Sequence, residues 1–566
     1  MTLTLRNSPL ALSSLTPIAL ALWALSAGVG AQTVPPTAGQ VLRDLQPAPV
    51  LQIPPAAPLK RSDTSSAAAA SDEAKVLVRA IVITGNQVMT TTELQALVAD
   101  LTGTEQSLSE LNAAARRITA LYRERGYAVA RAYLPAQDIT SGTVTISIVE
   151  GRVSSERLNN QSRLSSERAQ AYLSQIKVGE VIQSTQIDRG LLLLQDTPGV
   201  GASRATLLPG ASVGTSELLV ELDAAAAYTA TAALDNYGSR YTGVYRFGGS
   251  FSLASPLQIG DQFSFTGLTS GSGLKFGRLA YQLPLGSNGV RAGVAYLDTR
   301  YQLGSDFSAL AAHGSANGAS VFAAFPFVRS QFVNLSGTAT FERKRLNDRV
   351  DSTSTVTDKT VRVASLGLAG NRQDTWGGGG VNSFELNLAL GSLSINTPSS
   401  LAIDAVSSQS NGQYSRLAYS AGRLQRLGEA TALVVSLTGQ QASKNLDSSE
   451  KFSLGGASGV RAYPQGEASG DEGQRATLEL QQSLPARLQA TLFYDLGKVT
   501  VNKTPYGAPA VNSRTLAGAG IGLNASLNVF QLRSSLAWRT TGGNPVSVPV
   551  SSAQGPTLWV MASAAF

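Results

Sequence analysis

One arginine and two carboxylates in the C-terminal third of this chain are spaced to meet across a cavity. Arg461 sits in Ser458-Gly459-Val460-Arg461-Ala462-Tyr463-Pro464-Gln465-Gly466-Glu467, a turn-rich part of the glycine-rich stretch from Gly455 to Gly473. Asp495 sits in Leu492-Phe493-Tyr494-Asp495-Leu496-Gly497, which reads as a strand. Glu479 lies between Leu478 and Leu480 in the strand before it. Alternation assigns faces, because successive strand side chains point to opposite sides. Leu488, Ala490, Leu492 and Tyr494 share one parity; Gln489, Thr491, Phe493 and Asp495 share the other. If the first set meets lipid, Asp495 and Glu479 both face the lumen of a barrel. A guanidinium is a planar fork that meets a carboxylate bidentately. The chemistry offered is therefore anchoring: a long loop, folded back into a barrel, held through its lumen. The competing reading is a solvated loop arginine beside a carboxylate that merely lines a wet pore.

The elements needed to place this trio are legible over the last 340 residues. From about Ala227 onward helical patterns give way to short alternating segments. Examples are Tyr245, Phe247, Gly249, Phe251, Leu253 and Phe384, Leu386, Leu388, Leu390, separated by turns such as Gly286-Ser287-Asn288-Gly289. At roughly 21 residues per strand and turn this predicts about 16 membrane-spanning strands. The final segment, Leu558, Val560, Ala562, Ala564, Phe566, ends on an aromatic residue of its apolar face. Charged residues make up only 15% of the 566, and 55 are glycine, a composition that suits a closed sheet in lipid.

The N-terminus reads as export. Leu10 to Gly30 is apolar, follows Arg6 and ends in Val29-Gly30-Ala31-Gln32, so residues 1–31 are expected to be a cleaved signal peptide. There is no cysteine, which removes disulfides and thiol chemistry. The net charge of +7 is spread along the chain and no Lys/Arg run resembles a nucleic-acid patch, so no nucleic-acid partner is expected.

Between export signal and barrel, three units appear. Thr37 to Gln46 is a short amphipathic helix, with Ala38, Val41, Leu42 and Leu45 on one face, Thr37 as N-cap and Pro47 as stop. A Pro/Ala/Ser linker follows to about Ser71. Two modules of β-α-α-β-β order then occupy residues 76–151 and 152–226. In the first, Val78 to Thr84 is a strand, Thr92 to Leu101 a helix, and Ser107-Leu108-Ser109-Glu110 opens a second helix with a capping-box pattern. Tyr127 to Leu134 and Thr143 to Val149 are strands. The repeat of one order predicts tandem copies of one kind of module.

Asn86-Gln87-Val88 with Glu93-Leu94, Gly126-Tyr127 through Ala132-Tyr133-Leu134-Pro135, Thr197-Pro198-Gly199-Val200, Leu234 to Gly243, Val460-Arg461-Ala462-Tyr463 and Phe493-Tyr494-Asp495-Leu496-Gly497 occur in a fixed order. On these motifs the mature chain resembles the TpsB transporters of two-partner secretion. That is the FhaC/ShlB/HecB-like family of the BamA-like outer-membrane superfamily. The resemblance implies two periplasmic POTRA modules, a barrel at 227–566 and a long loop at 455–473 whose Arg461 and Tyr463 engage the Asp495 strand. It also implies that Thr37–Gln46, through Val41, Leu42 and Leu45, plugs the barrel. Ala462 stands where the family usually has Gly, so the loop tip is expected to be strained or reshaped.

The function expected is capture of one large exported TpsA-like partner, a haemolysin, adhesin or toxin, and its secretion through the barrel. No cofactor, metal or catalytic residue is expected. Outer-membrane lipid and, during biogenesis, the barrel-assembly machinery are further expected partners. A BamA-like assembly factor is the alternative, although such proteins usually carry more POTRA modules. A passive porin leaves the two modules unexplained. A hydrolase is poorly supported, because the only histidine, His313, lies in a Gly/Ala/Ser-rich region read as a loop.

Overall fold

The computed structural model describes residues 35–45, 75–507, 511–548 and 555–566. The expected signal peptide and the linker lie outside them. Among the described residues no helix is long and apolar enough to cross a membrane.

Sixteen antiparallel strands, from Tyr228–Asp235 to Thr557–Ala565, form a closed barrel. The first and last strands pair from Met561↔Asp235 to Ala565↔Thr231. Alternation sorts the faces physically: Leu478, Leu480, Leu492 and Leu366 are exposed on the outside, while Phe493 and Asp495 are buried within. Strands on one wall are long. Thr355–Asp374 has 20 residues, and Ala312–Arg329 and Val333–Val350 have 18 each. At roughly 3.3 Å per residue they far exceed an apolar band about 25 Å tall. His313 lies in one of these extensions. It is therefore a strand residue, not a loop residue, with Nε2 3.3 Å from Asp351 Oδ1. Helices do not vanish in the barrel either: Pro398–Ala405 is a helix between two strands, with Pro at its start where the missing N–H costs nothing.

Each module has its own core. In the first, strands Ala80–Thr84, Thr143–Val149 and Arg131–Tyr133 form one sheet, and Thr91–Ala96 and Leu108–Glu124 cover it. The capping box is formed, with Ser107 and Glu110 bonding each other's backbone N–H. The first helix is shorter than Thr92–Leu101: it stops at Ala96, and Ala99–Leu101 is a separate 3-10 turn. A two-stranded ribbon, Lys75–Leu77 with Glu105–Ser107, had no alternation long enough to be seen.

Glu150, buried at the end of this sheet, explains the Asn86-Gln87-Val88 motif. Its Oε1 accepts from the N–H groups of Gln87 (2.5 Å) and Val88 (2.9 Å) and from the Tyr122 hydroxyl (2.9 Å). Burial and the Glu150 carboxylate push the Tyr122 phenol well up, so it stays a donor. Glu150→Ala leaves the buried Tyr122 hydroxyl and two part-buried N–H groups without their acceptor and should cost about 1–3 kcal/mol. A soluble fragment of residues 75–226 should show this as a lower urea midpoint; an unchanged midpoint would refute the role.

The second module packs Ser166–Leu173 and Ser184–Gln195 on strands Arg152–Asn160, Thr215–Ala224 and Val200–Pro209. It docks on the turns at one end of the barrel. Arg329 grips Asp196 bidentately, Nε to Oδ2 at 2.6 Å and Nη2 to Oδ1 at 2.8 Å. Arg189 Nη2 reaches Pro326 O at 3.2 Å, and Ser165 N reaches Gln258 O at 2.9 Å. The Thr197–Val200 turn fits here because Gly199, at φ +92°, would bring a Cβ to 2.7 Å from Ser255 Cβ.

Candidate functional site

The lumen is filled by a loop and a helix. The loop connects strands Thr431–Ala442 and Glu472–Leu484, so it spans residues 443–471 and begins well before Gly455. Its tip is held by Arg461. The Nε donates to Asp495 Oδ2 at 2.8 Å and Nη2 to Asp495 Oδ1 at 2.8 Å, the bidentate geometry expected of a fork on a carboxylate. The remaining nitrogen, Nη1, donates to Glu479 Oε1 at 2.7 Å. One guanidinium therefore bridges two neighbouring strands. It lies over the Phe493 ring, 3.4 Å from its centroid. Thr477 Oγ1 (2.9 Å) and the Arg461 N–H (3.1 Å) donate further bonds to Asp495, whose side chain is fully buried.

Contacts on the other side of the tip were not expected from sequence. Trp559 Nε1 donates to Arg461 O at 2.7 Å, and Thr557 Oγ1 to Ala462 O at 2.9 Å, both from the last strand. The Tyr463 ring belongs to the same buried cluster as Phe493 and Val499 of the Asp495 strand, but its hydroxyl bonds elsewhere: it donates to Thr541 O at 2.7 Å and lies 2.9 Å from Gly543 O. The parity of Trp559, between outward Leu558 and Val560, was the available signal. Ala462 is fully buried and is not among the residues with left-handed backbone, so the expected strain does not arise. Its methyl is accommodated by Gly518, where a Cβ would come within 2.3 Å of Ala462 Cβ.

The base of the loop is tied by buried carboxylates. Glu450 accepts from Lys344 Nζ at 2.7 Å, Asp447 from Lys359 Nζ at 2.8 Å, and Asp471 from Leu446 N at 3.0 Å. Glu467 takes Val546 N at 2.9 Å and pairs with Arg514. Sequence reasoning missed all four, because each lies in an irregular segment where parity assigns no face.

The helix is Ala38–Asp44, capped by Thr37 and Leu45; Gln46 lies outside the described residues. It stands inside the barrel. Ala38, Val41 and Leu42 are buried against lumenal side chains including Tyr241, Tyr301, Phe307 and Leu346, with Leu45 only partly covered. Ala38 N donates to Asp348 Oδ1 at 2.6 Å, and Thr37 Oγ1 meets Ser448 Oγ at 2.6 Å. Gly39 is pressed on the loop: a Cβ there would lie 2.6 Å from Ser448 Oγ and 2.8 Å from Ser449 N. Helix and loop are thus packed against each other.

A 16-stranded barrel, filled by a tethered helix and an arginine-anchored loop with two α+β modules at its mouth, can be compared with known proteins. Residues 214–525 match the family model for haemolysin secretion/activation protein ShlB/FhaC/HecB, and residues 76–151 that for the ShlB-type POTRA domain. The chain belongs to this family. Heme/hemopexin transporter protein HuxB of Haemophilus influenzae is 30% identical over 78% of this chain and 79% of its own. Hemolysin transporter protein ShlB of Serratia marcescens is 26% identical over 78% and 79%. The fold is that of CdiB from Escherichia coli, with a TM-score of 0.69 at 21% identity over 89% of this chain and 93% of the other. This ShlB-type chain is an outer-membrane translocator of two-partner secretion, with its POTRA modules in the periplasm. The end of the barrel that carries Asp196–Arg329 is accordingly the periplasmic end.

Proposed function

We propose that this chain captures a large unfolded TpsA-like protein on its POTRA modules and passes it outward through the lumen once the helix and loop give way. It acts as a conduit and not as an enzyme. The observation that carries this reading is the filled lumen behind two modules with unpaired sheet edges. In the first module Ala80–Thr84 pairs on one side only, and Val82 is exposed on it; in the second, Arg152–Asn160 is an edge strand whose outer side is bonded at Arg152 and Val153 to residues 179–181 and is open beyond them. Such edges accept an extended chain as an added strand, with main-chain hydrogen bonds giving affinity. Export then needs a sink, which folding of the partner outside supplies by removing unfolded chain from the equilibrium.

Whether the partner is a haemolysin, an adhesin or a toxin is a matter of its own sequence; a very large exported protein encoded beside this chain would be the candidate. A photo-crosslinker at Val82, in the full-length protein co-expressed with that candidate, should trap the partner's N-terminal region. Crosslinks confined to barrel positions would overturn the capture step.

A further inference from the structure

Beyond translocation, the outer wall of the barrel carries a site that secretion does not use. Three arginines, Arg343, Arg345 and Arg362, are exposed on the lipid-facing side of strands Val333–Val350 and Thr355–Asp374. Their depth is set by the strand. From the periplasmic end the outward residues of Val333–Val350 are Val333, Leu335, Gly337, Ala339 and Phe341, then Arg343 and Arg345. Nine residues at roughly 3.3 Å each cover an apolar band of about 25 Å before the first arginine. The arginines therefore stand where acyl chains give way to headgroups in the outer leaflet.

Their arrangement is unfavourable without an anion. Arg343 and Arg362 are direct cross-strand partners, and like charges placed directly opposite destabilise a sheet. None of the three makes an ion pair among the described residues. They line a cleft of about 530 Å³ with Asn317, Asn347 and Thr360. One carboxylate, Asp358, also lines it and is taken by the Asn347 amide. Lys359, at its floor, is held from the lumen by Asp447. The cleft keeps a net positive charge.

Immediately below it is an apolar hollow of about 490 Å³, and Arg343 lines both. The hollow exists because Ala319 is small. Leu279, Tyr296, Ala319, Arg343 and Arg362 run in register across five strands, and Ala319 leaves a gap between Tyr296 and Arg343. Val321 and Phe341 floor the row beneath.

We infer that this wall binds a phosphorylated glycolipid of the outer leaflet, with its phosphate on Arg343, Arg345 and Arg362 and an acyl chain in the hollow beside Ala319. Guanidinium groups suit phosphate oxygens bidentately, and the bound anion relieves the Arg343–Arg362 repulsion. Charge and apolar shape are joined at one residue, which fits an anionic amphiphile and not a free ion.

The test is native mass spectrometry of the full-length protein in detergent, titrated with bisphosphorylated lipid A or its dephosphorylated counterpart. The wild type should retain the phosphorylated lipid preferentially. The triple variant Arg343→Gln, Arg345→Gln, Arg362→Gln should bind it about tenfold more weakly or worse, having lost its charge-assisted bonds. Arg372→Gln, an exposed arginine at the periplasmic end of the same wall, should change nothing. Ala319→Phe keeps every arginine but fills the hollow, and should also weaken binding; it decides the matter if the triple variant does not fold. Undiminished binding by the folded triple variant overturns the proposal. So do equal retention of the dephosphorylated lipid, full competition by inorganic phosphate, and an Ala319→Phe variant that binds as the wild type does.

Discussion

Arg461→Ala should abolish most secretion while the barrel still assembles. The substitution leaves Asp495, with no exposed side-chain surface, and Glu479 without the cation that bonds both, with only Arg475, bonded to Ser458 O, as a nearby positive charge. Breaking a buried pair costs about 3–5 kcal/mol. At about 1.4 kcal/mol per tenfold, even 3 kcal/mol shifts the docked loop toward the undocked state by roughly a hundredfold. The strands keep their ladders, so heat-modifiable mobility on gels should remain that of a folded barrel while partner in the medium falls. The charge exchange Arg461→Asp with Asp495→Arg has a predictable defect. Arg461 also binds Glu479, so the exchange sets a new carboxylate beside that one. Rescue should be partial, and should improve when Glu479→Gln is added. Secretion by Arg461→Ala at the wild-type level would show that the anchored loop is dispensable.

Deleting Thr37–Gln46 should raise the conductance of the purified protein in planar bilayers several-fold and admit antibiotics that the intact protein excludes. A seven-residue helix has little stability of its own, so Ala38–Asp44 is held by its burial of Val41 and Leu42 and by the Asp348 and Ser448 contacts. Burying a side chain of that size contributes roughly 1.5–3 kcal/mol, enough to keep the lumen occupied and small enough to be displaced. Gly39→Leu gives the same expectation without shortening the chain, since no room exists for a side chain against Ser448 and Ser449. Unchanged conductance in both variants would sink the plug assignment.

What the sequence showed, and what it hid, follows from how each feature is encoded. Parity placed Asp495 and Glu479 in the lumen because lipid enforces strict alternation, and it could equally have placed Trp559. Register with residues 98 positions away in the chain has no local mark, so the bond from Trp559 to Arg461 was invisible. The exchange of bulk between Ala462 and Gly518 was hidden for the same reason, and Ala462 alone suggested strain. His313 was misread because its strand runs past the membrane, where the outward face is polar and the inward residues, Ala312, Gly314 and Ala316, are too small to mark a strand. The helix Pro398–Ala405 is short and interrupts an otherwise strand-like texture. The buried carboxylates Asp447, Glu450, Glu467 and Asp471 sit in irregular backbone, where charge ordinarily signals exposure; only the fold reveals that Lys344, Lys359 and Arg514 await them.

The contact of Gly39 with Ser448 and Ser449 makes the two occupants of the lumen thermodynamically linked. Whatever displaces the helix strips a neighbour from the loop, and whatever withdraws the loop strips one from the helix. The coupling free energy is the same in either direction. A translocating chain therefore need not overcome two independent obstacles. Work done against either one lowers the threshold of the other, so clearance should be all-or-none in each molecule rather than stepwise. Resealing should be cooperative too, with each element that returns rebuilding the binding surface for its companion.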